Sequence, residues 1–139
     1  MRLRKDAKLE VLRRVPLFAG CTKKELAEIA TLTDELSLPA GTALIREGEQ
    51  GHEFFALVDG EVDIVASGRK AKHLQGGEFF GEMALVSSRP RNASVTATTP
   101  VRVLVLHERA FRKLLHDSPK IQLKVLQTLA DRAAENALP

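Results

Sequence analysis

The sequence predicts a mixed α+β domain in which helices at both ends flank a β-sandwich or jelly-roll barrel. Three observations support this fold class. The chain has 139 residues, of which 44% are hydrophobic, and this is enough for one domain with a real core. Its central part contains short apolar runs separated by glycine-containing turns, which is typical of strands. Both ends instead place apolar residues at helical spacing.

The N-terminal segment, residues 1–34, is predicted to be helical. Pro16 ends any helix that precedes it, because proline lacks the amide hydrogen that a continuing helix needs. Thr22 and Glu25 have the spacing of a capping box, in which each side chain accepts a hydrogen bond from the other residue's amide. The helix that follows has an apolar face formed by Leu26, Ile29 and Ala30.

The central segment, residues 35–107, is predicted to form the roll. Asp59-Gly60 lies between two apolar runs and predicts a tight hairpin turn, because both central positions of such a turn favour positive φ. Strands are expected at 42–45, 53–58, 61–65, 93–98 and 101–106.

The C-terminal segment, residues 108–139, is predicted to be helical again. Ser118-Pro119 marks a helix start, since serine is a preferred N-cap and proline suits the first helical position. An apolar stripe then recurs at every fourth residue, at Ile121, Val125, Leu129 and Ala133. The three segments together are expected to make one domain, residues 1–139.

Composition and charge exclude several classes of function. There are 21 basic and 18 acidic residues, and the net charge of +3 is too small to indicate nucleic-acid binding by itself. The single cysteine, Cys21, excludes an internal disulfide and fits a reducing compartment. No apolar run approaches the roughly 18 residues of a membrane span, and the N-terminus lacks the apolar centre of a signal peptide. We therefore expect a cytoplasmic domain that spans no membrane and contacts no nucleic acid directly.

Catalytic and metal-binding patterns are missing from the sequence. Ser87 and Ser88 lack the G-x-S-x-G context of a nucleophilic serine. Asp59, Glu61 and Asp63 begin like a calcium loop, but the ligands that close such a loop are absent. The histidines lack the spacing of metal ligands: His52, His73, His107 and His116. We expect no enzyme, no catalytic residue, no metal and no cofactor.

The stretch 79–95 departs from the alternating pattern of strands. Residues 83–86 allow only about one turn of helix, whose first amides and dipole form an anion site suited to a phosphate. Arg91 can add a planar fork of two hydrogen bonds to the same phosphate. Glu82 would repel a phosphate but suits neighbouring hydroxyls, as on a ribose, and Gly81 leaves room for a ligand near the backbone. These residue types together indicate a phosphate joined to a sugar.

This stretch resembles the phosphate-binding cassette of cyclic nucleotide-binding domains. The family reads F-G-E-(L/I/M)-A-L, a short loop, and P-R-(A/T/S)-A-(T/S)-V. This chain has Phe80-Gly81-Glu82-Met83-Ala84-Leu85 and then Pro90-Arg91-Asn92-Ala93-Ser94-Val95. The resemblance extends to a helical turn at Pro16-Leu17-Phe18 and to the C-terminal helices. Phe79–Leu85 and the Ser118-Pro119 helix start are especially similar to the cytosolic domains of bacterial cyclic nucleotide-gated potassium channels.

The resemblance implies both a fold and a function. The fold would be an eight-stranded antiparallel β-roll, jelly-roll-like, with N-terminal helices and two C-terminal helices, the last acting as a lid. The function would be that of a regulatory sensor that binds a cyclic nucleotide and couples binding to movement of its C-terminal helices. Asn92 stands where some cGMP-preferring relatives have threonine, and this favours cAMP over cGMP as the ligand.

The resemblance also implies roles for individual residues. Arg91 would bind the cyclic phosphate, and backbone amides near Ala84 and Asn92 would complete its cradle. Glu82 and the backbone of Gly81 would hold the ribose 2′-hydroxyl. Taken alone, the arginine and the glutamate would be interpreted as solvated surface charges, so these roles depend on the whole cassette.

Three further residues have implied roles with ordinary alternatives. Ile64 and Leu74 would pack on the sugar or base, or they are simple core residues. Arg132 in the last helix would contact the base, or it forms a surface ion pair. The complete predicted binding set is Phe80, Gly81, Glu82, Met83, Ala84, Arg91, Asn92, Ala93, Ile64 and Arg132.

Two other functions stay open at this point. One is an interaction domain on the same roll that binds no ligand, although intact Glu82 and Arg91 argue against it. The other is the sensor half of a transcription regulator, but only about twenty residues follow Ser118 and no helix-turn-helix fits there. An effector domain or partner protein, of which a channel is one example, would read the ligand signal.

Overall fold

The structure, a computed structural model, describes residues 4–87 and 89–137. The chain ends and Ser88, which belong to the predicted domain and cassette, lie outside the described residues. Helices occupy both ends of the chain as predicted. They are α1 (Lys5–Arg13), α2 (Lys23–Ala30), α3 (Glu108–Asp117) and α4 (Pro119–Ala137), with 3-10 turns at Pro16–Phe18 and Glu82–Leu85.

The described part of the chain contains eight antiparallel strands in two four-stranded sheets. One sheet has the order β1-β8-β3-β6 and the other β2-β7-β4-β5. The mixed α+β, eight-stranded prediction is confirmed. The strands are β1 (Asp34–Leu38), β2 (Ala43–Ile45), β3 (Glu53–Asp59), β4 (Glu61–Ala66), β5 (Arg69–Gln75), β6 (Phe79–Phe80), β7 (Ser94–Ala97) and β8 (Val101–His107).

Local signals in the sequence fix two helix starts. The Glu25 N–H donates to Thr22 Oγ1 at 3.2 Å, and the Thr22 N–H donates to Glu25 Oε1 at 2.8 Å. This is the predicted capping box of α2. At the start of α4, Pro119 occupies the first helical position and the Ile121 N–H donates a long 3.5 Å hydrogen bond to Ser118 Oγ.

Two hydrophobic cores share the sheet that contains β3. Successive residues of a strand point to opposite faces. Phe54 and Ala56 pack with the helices in the first core, where the Phe54 ring lies 6.1 Å from that of Phe18. Phe55 and Leu57 face the other way and pack in the second core, between the two sheets. The near-continuous apolar sequence of β3 follows from burial on both faces.

The predicted hairpin at Asp59-Gly60 is wrong. Strand β3 pairs with β6 and β8, whereas β4 pairs with β5 and β7, so this turn carries the chain from one sheet to the other. Gly60 has φ +96°, and a Cβ there would lie 2.3 Å from the Pro100 carbonyl oxygen. The positive φ of Gly60 therefore allows the chain to pass from one sheet to the other. The tight hairpin is at Ser67-Gly68, with φ +52° and +76°, between β4 and β5.

Strand β5 was absent from the predicted strands because it is polar. Of its seven residues only Leu74 is buried. His73 Nδ1 lies 2.6 Å from Asp63 Oδ1, and its Nε2 lies 2.8 Å from Glu61 Oε1. Two ionised carboxylates can only accept, so this arrangement requires both ring nitrogens to carry a proton. Asp63, and to a lesser degree Glu61, therefore raise the pKa of His73.

Candidate ligand-binding site

The predicted cassette forms a short turn that leaves β6. Gly81 begins the turn in the left-handed region, with φ +78°, and the 3-10 turn Glu82–Leu85 follows. The turn is anchored at both ends. Phe80 stacks on Phe55 with ring centroids 5.2 Å apart, and Leu85 is fully buried in the helical core. The polar residues between these anchors are therefore held in a defined position.

The backbone of Arg91 is fixed by the loop that precedes β3. Its N–H donates to the Glu49 carbonyl at 2.8 Å, and its carbonyl accepts from the Gly48 N–H at 2.8 Å. The side chain then reaches β3, where Nη2 donates to the Glu53 carbonyl oxygen at 2.6 Å. Three hydrogen bonds from one loop and one strand thus position this arginine.

Two glycines leave the space that the Arg91 guanidinium occupies. A Cβ at Gly51 would lie 2.3 Å from Arg91 Nε, and a Cβ at Gly81 would lie 2.8 Å from Nη1. Any side chain at either position would meet the guanidinium. Gly81 was predicted to leave room for a ligand, and in this structure it leaves room for the arginine.

The electrostatic surroundings of Arg91 favour an anion. Its side chain donates to a backbone carbonyl, and none of the ion pairs among the described residues includes it. Burial lowers the pKa of the guanidinium, and the charge of Glu53 opposes this shift in part. A partly desolvated cation without a carboxylate partner is stabilised by an anionic ligand.

Glu82 has one engaged and one free carboxylate oxygen. Its Oε1 accepts a 3.0 Å hydrogen bond from Arg132 Nη2 on α4. Its Oε2 is buried, and no hydrogen-bond donor of the described residues reaches it. The Glu82 side chain is only 14% exposed. A buried carboxylate oxygen without a donor is costly, and a hydroxyl that donated to this atom would offset that cost.

A cavity of about 580 Å³ lies at the cassette, within the roughly 300–1,000 Å³ typical of small-molecule sites. Six of the ten predicted binding residues line it, and so do three residues that were not predicted. The predicted ones are Gly81, Glu82, Met83, Ala84, Arg91 and Asn92, and the others are Ser87, Arg89 and Pro90.

The remaining predicted residues lie elsewhere. Phe80 belongs to the second core, and Ile64 packs against that core. Leu74 is 3% exposed in the same core, which favours the core interpretation of both aliphatic residues. Ala93 does not line the cavity, and Arg132 reaches the site through Glu82.

The amides predicted to cradle a phosphate are only partly open. The Ala84 N–H donates to the Gly81 carbonyl at 3.2 Å, closing the 3-10 turn. Asn92 is exposed at the rim of the cavity. Of the two predicted amides, that of Ala84 is therefore already engaged within the turn in this conformation.

Other parts of the molecule are weaker candidates for a functional site. A wider groove of about 1210 Å³ between α2, β1 and β2 contains none of the residues that line the cassette cavity. In residues 4–87 and 89–137, no cluster of three or more His, Cys, Asp or Glu side chains could hold a metal ion. Burial raises the pKa of the Cys21 thiol, which disfavours a reactive thiolate. No helix within the described ranges has the length and apolarity to cross a bilayer.

Comparison with known proteins relates this geometry to a family. The sequence pattern of the cyclic nucleotide-binding domain matches residues 35–118. A cAMP-dependent protein kinase regulatory subunit of Colletotrichum orbiculare is 41% identical over 108 residues, covering 76% of this chain and 28% of that subunit. A cyclic nucleotide-gated potassium channel of Rhizobium etli is 36% identical over 123 residues, covering 88% of this chain and 34% of the channel. The chain thus spans about a third or less of these relatives.

A solved structure extends the likeness to three dimensions. The N-terminal domain of a transcriptional regulator from Streptomyces coelicolor A3(2) superposes with a TM-score of 0.85 and 30% sequence identity. The superposition covers 91% of this chain and 94% of that domain. The resemblance inferred from the cassette, including that to bacterial channel domains, is confirmed. The chain belongs to the cyclic nucleotide-binding domain family.

Proposed function

We propose that the domain binds a 3′,5′-cyclic nucleotide in the cassette cavity and acts as a regulatory sensor, not an enzyme. The observation that carries this proposal is the state of Arg91. Its guanidinium is partly buried, confined by Gly51 and Gly81, and paired with a carbonyl instead of a carboxylate. A cyclic phosphate has one negative charge, which matches the charge of one guanidinium.

Two of the charged residues that line the cavity, Arg91 and Glu82, would recognise different parts of the ligand. Arg91 would bind the exocyclic phosphate oxygens through a charge-assisted fork. Glu82 would accept a hydrogen bond from a ribose hydroxyl at Oε2, the buried oxygen that no described donor reaches. Family membership supports both roles, since these residues stand at the matching cassette positions.

We propose cAMP as the preferred nucleotide and cGMP as the weaker one. Asn92, exposed at the rim of the cavity, replaces the threonine of some cGMP-preferring relatives. The fungal relative that is 41% identical is named as cAMP-dependent. Both facts support cAMP without excluding cGMP binding.

The proposed output is a change in the C-terminal helices that an effector domain or partner protein reads. A ligand can shift helix positions only if it binds one arrangement better than another. The relatives belong to a kinase subunit, a channel and a transcriptional regulator, so the domain architecture fits several effectors. A cytoplasmic location and the absence of a cofactor stay predictions of the sequence.

Calorimetric titration with cAMP and then cGMP tests the proposal directly. We expect one nucleotide per chain, with tighter binding of cAMP. Arg91→Ala should cost roughly 2–5 kcal/mol of affinity because a partly buried charge loses its partner. This corresponds to about 30- to several-thousand-fold in Kd.

Arg13→Ala is the matched control for this titration. Arg13 is exposed on α1 and pairs with Glu10 at 2.8 Å, so its loss should leave binding unchanged. Retention of affinity within about threefold by Arg91→Ala would refute the phosphate role. If neither nucleotide binds the unaltered chain, the interaction-domain alternative replaces the sensor.

A further inference from the structure

Among the described residues, one ion pair joins the distal half of α4 to the cassette. Arg132 Nη2 lies 3.0 Å from Glu82 Oε1. The arginine side chain is one third exposed, whereas that of the glutamate is 14% exposed. The contact spans fifty positions of sequence and connects the last helix with the carboxylate at the mouth of the cavity.

We infer that Glu82 is shared between α4 and the ligand, and that Arg132 is a positioning residue for sugar recognition. Arg132 holds Oε1, and a ligand hydroxyl donates to Oε2. The nucleotide and the docked helix then stabilise each other through one carboxylate. This inference rests on the proposed function and replaces the expected contact between Arg132 and the base.

The chemistry of the carboxylate supports this division of its two oxygens. The Glu82 side chain is only 14% exposed, and the Arg132 guanidinium beside Oε1 supplies a charge opposite to that of the carboxylate. An ionised carboxylate is acceptor-only, so Oε2 requires a donor such as a hydroxyl, which a phosphate cannot provide. Because no described donor reaches Oε2, a small rotation that turns this buried oxygen toward the cavity lets it accept from the ligand while Oε1 keeps the arginine.

The packing of α4 shows which part of the helix this contact can control. Ile121 and Val125 are buried in the helical core. Lys124 Nζ lies 2.5 Å from Glu25 Oε1 on α2 and lowers the pKa of that carboxyl. The first two turns are therefore anchored independently of the cassette. The ligand-dependent change is expected beyond them, in residues 128–137.

A double-mutant cycle with two ligands tests the inference. Calorimetry would compare cAMP with its 2′-deoxy analogue on the unaltered chain, Arg132→Gln, Glu82→Gln and the double variant. We expect Arg132→Gln to weaken cAMP binding by about fivefold or more. The same change should alter the Kd of the 2′-deoxy analogue by about twofold or less. It should likewise alter the Kd of cAMP by about twofold or less when Glu82→Gln is already present. Arg13→Gln, in an exposed Arg–Glu pair, is the control.

Each alternative gives a different pattern in this cycle. Equal weakening of both ligands by Arg132→Gln would indicate a direct base contact and overturn the inference. If Arg132→Gln bound cAMP more tightly than the unaltered chain, the arginine and the ligand would compete for the Glu82 carboxylate, and the inference would also be overturned. Failure of the unaltered chain to bind cAMP or cGMP would instead refute the proposed function, and the inference with it.

Hydrogen exchange of the backbone amides tests the coupling to the helix. Saturating cAMP should increase the protection of residues 128–137 in the unaltered chain and in Arg13→Gln, but not in Arg132→Gln. The amides of residues 121–125 report whether each variant keeps its helical core. Ligand-induced protection that survives in Arg132→Gln would overturn the role of the ion pair, even where binding itself is confirmed.

Discussion

Alanine at position 51 is expected to damage the site without removing any charge. Gly51 is buried and its φ lies outside the left-handed region, so alanine suits its backbone conformation. The new Cβ, however, would lie 2.3 Å from Arg91 Nε and 2.7 Å from its Cδ and Cζ. Ordinary van der Waals contact begins near 3.4 Å. The guanidinium must therefore retreat by about 1 Å, a displacement that is enough to impair a preorganised site.

The magnitude follows from the hydrogen bond that this retreat breaks. Arg91 Nη2 donates to the Glu53 carbonyl at 2.6 Å, and this bond fixes the direction of the guanidinium. Hydrogen bonds that involve a charged group contribute about 1.5–3 kcal/mol. If the misplaced fork loses a comparable amount of its interaction with the ligand, Kd rises about 10- to 150-fold. Because the obstruction is a flexible side chain, the fold itself should tolerate Gly51→Ala.

Calorimetry with cAMP, paired with a thermal melt, measures both effects. Gly20→Ala is the matched control, since a Cβ there would lie 3.5 Å from Lys124 Cβ, an ordinary contact. We expect Gly20→Ala to melt and bind like the unaltered chain, and Gly51→Ala to bind more weakly with a modestly lower melting temperature from the lost Arg91–Glu53 hydrogen bond. Binding within about twofold of the unaltered chain would show that this glycine does not hold Arg91 in its binding position.

Two further predictions concern stability. Gly60→Ala would force a residue with a Cβ into φ +96° and place that Cβ 2.3 Å from the Pro100 carbonyl oxygen. The backbone strain alone should lower the free energy of unfolding, measured by urea denaturation, by about 1–3 kcal/mol. A decrease below about 0.5 kcal/mol would contradict the close approach. The raised pKa of His73 means that its pairing with Asp63 and Glu61 stabilises the fold fully below pH 6.5 and ceases to do so as pH rises through the folded-state pKa. His73→Gln should therefore destabilise the chain more at pH 5.5 than at pH 9, and equal destabilisation at both values would exclude this origin.

Local signals predicted the helices well and the sheet connections less well. The Thr22–Glu25 capping box and the Ser118-Pro119 start depend on neighbours in sequence, and both are present. The Asp59-Gly60 turn has the same local chemistry whether its strands pair or separate into two sheets, so its role required the tertiary structure. Strand β5 has one buried residue, because one edge strand of a sheet is largely exposed to solvent.

The binding site, too, has a part that the local sequence predicted and a part that only the tertiary structure brings together. The cassette is a continuous motif, and six of its predicted residues line one cavity. Gly51 and Glu53 lie about forty positions before Arg91, and no local pattern marks either of them as its support. Arg132 was expected to contact the base or to form a surface ion pair, and the structure pairs it with Glu82, a contact between distant segments that no spacing in the sequence encodes.

The first part of the cassette, Phe80–Leu85, begins in one hydrophobic core and ends in the other. Phe80 belongs to the core between the sheets, and Leu85, five residues later, belongs to the core beneath the helices. A ligand that immobilises this turn would therefore increase the cohesion of both cores at once. By the same linkage, a substitution that loosens either core would lower ligand affinity from a distance. The ligand affinity of such a domain can therefore change without any substitution at the cavity, because repacking either core alters the position and order of the turn.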